Sequence, residues 1–71
     1  MKIMVNGEGK QLEKEVNILD LLAILHVKMP EMVSVELNGE IVDRDDFSKT
    51  MIQENDEIEF LYFMGGGSIG F

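Results

Sequence analysis

The residues with the clearest chemical potential are three consecutive glycines, Gly65 to Gly67, which follow an apolar stretch. A glycine run weakens a strand and packs nothing, so its purely structural interpretation is a frayed end. Because glycine has no Cβ, an extended glycine backbone can also pass through a narrow channel and bring a carboxylate to an enclosed reaction centre. There ATP could convert the carboxylate into an acyl-adenylate, which a sulfur nucleophile attacks. The run therefore predicts a tail that threads into another protein.

The other candidates for catalysis or metal binding show weaker patterns. His26 is the single histidine and lies near the predicted end of a helix, which favours a solvated or dipole-satisfying role over that of a general base. The acidic run from Asp43 to Asp46 lacks the alternating oxygens and distal glutamate of a calcium loop, so it indicates a solvated turn. We predict no catalytic residue, no metal site and no bound cofactor, and hence a protein that is not itself an enzyme.

Length and composition narrow the class of protein. The 71 residues suffice for one small domain, and 45% apolar with 28% charged residues is the mixture of a globular chain. Without cysteine there is neither a disulfide nor a thiolate metal site. The net charge of −8 argues against nucleic acid and favours solubility, or steering toward a basic partner surface. No stretch matches a membrane span or a signal peptide, so we expect a cytoplasmic protein away from membranes, monomeric when free.

The hydrophobic pattern predicts strand, strand, helix, strand, short strand, strand. The first two strands form a hairpin whose turn runs through Asn6 to Gly9. Asn17 caps a helix of about ten residues, whose apolar stripe faces a core and which Pro30 prevents from continuing. A second hairpin follows, with its turn at Asn38 and Gly39. After a polar loop with one short helical turn, the last strand covers Glu57 to Phe63.

A hairpin, one helix and further strands predict an α+β fold with a single mixed sheet of four to five strands. The lone helix packs on one face, and the last strand lies beside the first, which is the ubiquitin-like β-grasp arrangement. We assign residues 1–64 to this domain and residues 65–71 to a flexible tail. Besides the helix stripe, the predicted core contains Ile3, Val5, Val35, Leu37, Ile58 and Phe60, and the polar loop is anchored by Phe47 and Ile52.

Two sets of apolar residues fall outside that core. In the last strand, alternation places Leu61 and Phe63 opposite Phe60, so both faces are apolar near the root of the tail. We predict that Leu61, Phe63 and Met64, together with Met4 from the neighbouring strand, form a docking patch, the alternative being burial under loops through strand twist.

On the helix, Leu19, Ala23 and Ile24 lie off the main apolar stripe. Such positions either make extra contacts to the core or form a second interface. We expect the first, because an apolar helix position more often packs inside its own domain.

Three segments resemble the thiamine-biosynthesis sulfur carrier family (ThiS), which is related to the molybdopterin-synthase small subunit: NILDLL, ELNGEIVDRDDF and ENDEIEFLYFMGGG. Asp43 and Asn55 replace a proline and a glycine of the family pattern. The resemblance implies that Gly67 carries the reactive carboxylate and that Gly65 and Gly66 thread the channel. It implies adenylation by a ThiF-type adenylyltransferase that uses ATP, conversion to a thiocarboxylate, and delivery of sulfur to a thiazole synthase.

Residues Ser68 to Phe71 follow the glycine that this resemblance implies as the reactive one. We expect a processing peptidase to remove them, since Phe71 would place a bulky side chain beside the reacting carbon; the alternative is a tolerated extension without a role. Rival functions are a sulfur carrier for molybdopterin or cysteine synthesis, a ubiquitin-like modifier that forms isopeptide bonds, and an interaction domain with an inert tail.

Overall fold

The structure, a computed structural model, describes residues 1–62, so the predicted tail and Phe63 lie outside the described part. The elements are β1 (Lys2–Val5), β2 (Glu8–Gln11), α1 (Ile18–Ile24), β3 (Val33–Leu37), β4 (Glu40–Val42), a 3-10 helix (Arg44–Asp46) and β5 (Glu57–Tyr62). The predicted order of strands and helix is confirmed, as is the short helical turn. Within residues 1–62, no helix is long and apolar enough to cross a membrane.

The strands form one mixed sheet in the order β2-β1-β5-β3-β4. β5 runs parallel to β1 and antiparallel to β3, while β2 and β4 pair antiparallel at the two edges. The last strand therefore occupies the centre of the sheet beside the first, and the single helix connects the two hairpins. This is the predicted ubiquitin-like β-grasp fold.

Both hairpins turn through an Asn-Gly pair with positive φ at each residue, 51° and 84° at Asn6 and Gly7, and 52° and 87° at Asn38 and Gly39. These values define the primed turn that matches the twist of the flanking strands. The first turn is tighter than predicted, because Glu8 and the glycine after it already pair with β1. The Asn-Gly pair alone sets the register of each hairpin.

Helix α1 begins where the sequence predicts and ends earlier. The Asn17 side chain accepts a hydrogen bond from the N–H of Asp20 at 2.7 Å, which caps the first turn. At the other end, His26 has a φ of 54°, and the N–H of Val27 donates to the carbonyl of Leu22 at 3.0 Å. This left-handed closure stops the helix after 7 residues, so the predicted length of about ten was wrong.

The core lies between α1 and one face of the sheet. Ile3, Val5, Val35 and Ile58 are buried as predicted, whereas Leu37 and Phe60 are half-buried and pack against the core. The predicted loop anchors are also buried, and so is the helix stripe except for Leu25, which is half-buried and packs against the core. The buried set comprises Ile3, Val5, Leu12, Val16, Ile18, Leu21, Leu22, Val33, Val35, Phe47, Ile52 and Ile58.

The outer surface of α1 contradicts one expectation. Leu19 is 51% exposed and Ile24 is 48% exposed, and Ala23 between them is exposed as well. These residues do not add to the core, because a short helix lying on a sheet contacts it along a single stripe. The prediction of extra core contacts was therefore wrong.

A carboxylate fixes the start of β5. Asp56 is the buried charged residue among residues 1–62, with 9% of its surface exposed. One of its oxygens accepts from the N–H of Gln53 at 2.7 Å, and the other accepts from the Asn38 side-chain amide at 3.0 Å. The Asn38 amide oxygen in turn accepts from the N–H of Glu57 at 2.9 Å. This network ties the β3–β4 turn to the entry of the central strand.

Candidate functional site

The end of β5 is the part of the described structure from which the predicted tail continues. Tyr62, the last described residue, pairs with Val33 of β3, and its hydroxyl donates a hydrogen bond to the carbonyl of Lys28. Two residues earlier, the N–H of Phe60 donates to the Asn6 side chain at 2.9 Å. Strand neighbours and loops on both sides therefore hold this strand end in place.

Two of the predicted docking residues, Leu61 and Met4, lie in the described part and are half-buried. Both lie on the open face of the sheet, opposite α1, since Ile3 and Phe60 next to them point toward the core. Met4 pairs with Glu57, four residues before Leu61 and therefore about 13 Å away along the strand. The structure thus places the two predicted residues on one face but does not bring them together.

The predicted residues Phe63 and Met64 of the docking patch lie outside the described residues. So do Gly65 and Gly66, predicted to thread the channel, and Gly67, predicted to carry the reactive carboxylate. Their assignment stays a prediction, as does the boundary between domain and tail.

Acidic side chains occupy the open face between Met4 and Leu61. Glu36 and Glu59 are directly opposite each other on β3 and β5, and Glu57 is two residues from Glu59 on the same face. These side chains border a shallow groove of about 360 Å³, lined by Met4, Gly7, Glu36, Gly39, Glu57, Ile58 and Glu59. Like charges directly opposite each other on a sheet are destabilising.

Within the described residues no ion pair joins these carboxylates to a cation, and Lys2 on β1 is the basic side chain on the same face. The ion pair found in that part of the chain joins Lys10 to Glu8, at 3.7 Å, on the edge strand β2. The open face therefore presents a net negative charge, with apolar Ile41, 57% exposed, beside it on β4. A surface of this kind can attract a partner with positive charge around an apolar contact.

The remaining chemical candidates are exposed. His26 lies at the end of α1 in solvent, and the run from Asp43 to Asp46 forms the 3-10 helix and its flanking turn. Residues 1–62 contain no group of three or more histidine or acidic side chains placed to hold a metal ion. What the described geometry supplies is a rigid body with a fixed strand end and an acidic open face.

Comparison with known proteins decides the family. The model of the ThiS family matches residues 3–67, which is nearly the whole chain and includes all three glycines. The chain belongs to the ThiS family. The match ends at Gly67, so the ThiS family pattern covers the central strand and the glycine run and leaves Ser68 to Phe71 beyond it.

Solved structures and curated relatives agree with this ThiS assignment. The chain is 43% identical to the thiamine biosynthesis protein ThiS of Geobacter metallireducens, whose crystal structure superimposes with a TM-score of 0.89. The match covers 94% of this chain and 100% of that chain. A solution NMR structure of a thiamine biosynthesis protein of that organism gives a TM-score of 0.75 at 43% identity, over 96% of this chain and 90% of that one.

The matching curated relatives are thiazole synthases. The chain is 40% identical over 67 residues to a thiazole synthase of Magnetococcus marinus and 34% identical over 68 residues to one of Paramagnetospirillum magneticum. These matches cover 94% and 96% of this chain but 20% and 21% of the relatives. The chain thus spans about a fifth of the length of the curated relatives it matches.

The two departures from the family pattern fit the backbone. Asp43 has φ −64° and ψ 141°, which are values that proline adopts. Asn55 has a φ of 68°, in the left-handed region where glycine is favoured and asparagine is tolerated. Each replacement therefore preserves the turn conformation that the family residue would supply.

Sequence reasoning missed two features of this site. Alternation in β5 did place Glu59 on the face of Leu61, but its pairing with Glu36 depends on the register between β3 and β5. The hydrogen bond from Tyr62 to Lys28 joins residues 34 apart in the sequence, and no local signal marks it.

Proposed function

We propose that this chain is a sulfur carrier protein in the synthesis of the thiazole part of thiamine. The observation that carries the proposal is the ThiS family match over residues 3–67, which ends at the last of the three glycines. The names of the similar proteins, a thiamine biosynthesis protein and two thiazole synthases, favour the thiazole branch over molybdopterin or cysteine synthesis.

The reacting group in this proposal is the carboxylate of Gly67. A ThiF-type adenylyltransferase joins the carboxylate oxygen to the α-phosphorus of ATP and releases pyrophosphate. A sulfide-type nucleophile then forms a bond to the acyl carbon, and the bond to AMP breaks, which leaves a thiocarboxylate. Gly65 and Gly66 allow the tail to enter each active centre because they carry no side chain.

The folded domain binds the partner enzymes and positions the tail in this scheme. Leu61 and Met4 on the open face, with Phe63 and Met64 beyond the described residues, are the proposed docking patch. The acidic pair Glu36 and Glu59 between the described members supports a partner with a basic surface at this position. The carrier itself is a substrate of its enzymes and supplies position, while the partners supply the catalytic groups.

For activation, the carboxylate must belong to Gly67, so the proposal includes removal of Ser68 to Phe71 by a peptidase. Intact-mass measurement on protein recovered from its native cell tests this step. A thiocarboxylate found on the full-length chain would contradict the proposed removal of Ser68 to Phe71.

The decisive experiment compares a form ending at Gly67 with the full-length chain. Each is incubated with the ThiF-type enzyme, ATP and sulfide, and its intact mass is measured. We expect the exchange of one oxygen for sulfur in the shorter form, and its loss when Gly66 is replaced by a bulky residue such as phenylalanine. Absence of the exchange in both unaltered forms would refute the assignment as a sulfur carrier.

A further inference from the structure

The loop between α1 and β3 presents two exposed methionines beside the end of β5. Met29 and Met32 are each 54% exposed, and a backbone hydrogen bond of 2.8 Å from the N–H of Met32 to the carbonyl of Met29 closes a turn between them. The loop leads directly into Val33, which pairs with Tyr62. The methionines therefore lie next to the residue from which the tail continues.

Side chains from two other elements hold this loop. The Tyr62 hydroxyl donates to the carbonyl of Lys28, at the start of the loop. The Arg44 guanidinium donates to the carbonyl of Pro30 at 2.9 Å and also to that of Val33, at the end of the loop. The loop is thus fixed at its start, middle and end, and tertiary hydrogen bonds determine its conformation.

The backbone of Met29 is unusual in this setting. Its φ is 49°, whereas the left-handed region is ordinarily occupied by glycine, asparagine or aspartate. The exposed Met29 side chain has little packing inside the chain to compensate for this conformation. The hydrogen bonds that hold the loop maintain this conformation, so the fold keeps an exposed methionine in a fixed position at a local cost in strain.

The length of the tail limits where that molecule can be. Five residues separate Tyr62 from the carboxylate of Gly67, and an extended chain covers at most about 3.3–3.6 Å per residue, or about 17 Å in total. This step rests on the proposed function, in which an enzyme encloses Gly67. Any such enzyme must bring its surface within that distance of Tyr62. Met32 directly precedes Val33, the β3 partner of Tyr62, so the methionines lie within the same distance.

We infer that Met29, Met32 and Tyr62, the methionine rim, form a second contact surface for the ATP-dependent activating enzyme. An acyl-adenylate is lost if water reaches it, so this enzyme must close around the tail more completely than a protein that handles a stable group. Unbranched methionine side chains adapt to an apolar entrance and help to exclude water. The rim thus closes the side of the tail that the docking patch leaves open.

Variants of the rim test this inference. Met29→Glu and Met32→Glu are made singly and together. The form used, full-length or ending at Gly67, is the one that the activating enzyme adenylates when it carries no substitution. Pyrophosphate exchange is measured against carrier concentration, and hydrolysis of ATP is measured in parallel. We expect at least a tenfold rise in KM for the double variant and a larger share of ATP lost to hydrolysis per exchange event, which a change in folding alone would not produce.

Two further variants separate contact from stability. Met51→Glu is the matched control, because Met51 is 43% exposed but lies beside Asn17 at the opposite end of α1. It should leave KM within twofold of wild type. Met29→Gly removes the side chain while suiting a φ of 49°, so this variant should resist urea better than wild type and still raise KM.

Three results would overturn the inference. One is a KM of the double variant equal to that of Met51→Glu. Another is unchanged activation with weaker sulfur transfer to the thiazole synthase, which would assign the rim to the synthase. The third is a concentration-dependent dimer in sedimentation that the double variant abolishes, which would assign it to a second copy of the chain. If wild type is not adenylated in either form, the proposed function itself fails.

Discussion

Replacement of Asp56 by alanine should destabilise the protein severely, although Asp56 lies at the far end of β5 from the tail. Its carboxylate, 9% exposed, accepts hydrogen bonds from the Gln53 N–H at 2.7 Å and the Asn38 amide at 3.0 Å. A hydrogen bond to a charged group contributes about 1.5–3 kcal/mol. The Asn38 amide can turn toward water after the replacement, so we expect a loss of about 3 kcal/mol, chiefly from the part-buried hydrogen bond of the Gln53 N–H.

Such a loss is large for a chain of this length. At about 0.05–0.15 kcal/mol per residue, its total stability is on the order of 4–10 kcal/mol. Since 1 kcal/mol shifts the melting temperature of a small domain by about 4–8 °C, Asp56→Ala should melt about 12–24 °C below wild type.

Urea unfolding followed by far-UV circular dichroism measures the free energy, with the m-value as a check that unfolding exposes the same surface. Asp56→Asn keeps one acceptor oxygen and should lose about half as much as Asp56→Ala. Asp45→Ala, in the exposed 3-10 helix, is the control and should stay within about 0.5 kcal/mol of wild type. A loss below about 1 kcal/mol for Asp56→Ala would refute the view that this network holds the entry of β5.

Four other substitutions test the backbone and charge arguments by urea unfolding. His26→Gly should stabilise the chain by about 0.5–1 kcal/mol, because φ at this position is 54°; destabilisation would show that the imidazole makes a contact of its own. Glu59→Gln should stabilise it by about 0.2–1 kcal/mol by removing repulsion from Glu36, and a gain that persists unchanged in high salt would contradict that cause. Gly39→Ala should cost about 1–2 kcal/mol, because φ is 87° with open space around it. Gly9→Ala should cost less, because the nearest atom is the movable Lys2 Cε at 3.2 Å, and equal costs would contradict a backbone origin.

The strands and turns could be predicted because their signals are local. Asn6-Gly7 and Asn38-Gly39 each specify a hairpin turn by the positive φ that both residues accept. The alternation of the strands then follows from the pleat, and the position of β5 beside β1 follows from the crossover through α1.

The end of the helix could not be predicted in the same way. Helix-stop rules rely on glycine or proline, and the first such residue after Asn17 is Pro30. The helix instead ends just before His26, which adopts the left-handed conformation despite its Cβ. Because the helix is then only 7 residues long, it has one buried stripe, and Leu19 and Ile24 remain exposed.

Features of the candidate site depend on distant pairs. The opposition of Glu36 and Glu59, the bond from Tyr62 to Lys28 and the clamp of Arg44 on the loop before β3 arise from register and tertiary contacts. A pattern within one segment carries no information about them. The glycine run is the opposite case, since the prediction about it needs residue type alone, and it stays a prediction.

The central place of β5 has a mechanical consequence. β5 is hydrogen-bonded to β1 on one side and to β3 on the other. Tension applied at Tyr62 along the strand axis therefore loads both rows of hydrogen bonds in shear, so many bonds must break together before the strand slides. Under the proposed function, a force on the tail during its withdrawal from an enzyme would leave the fold of the domain intact.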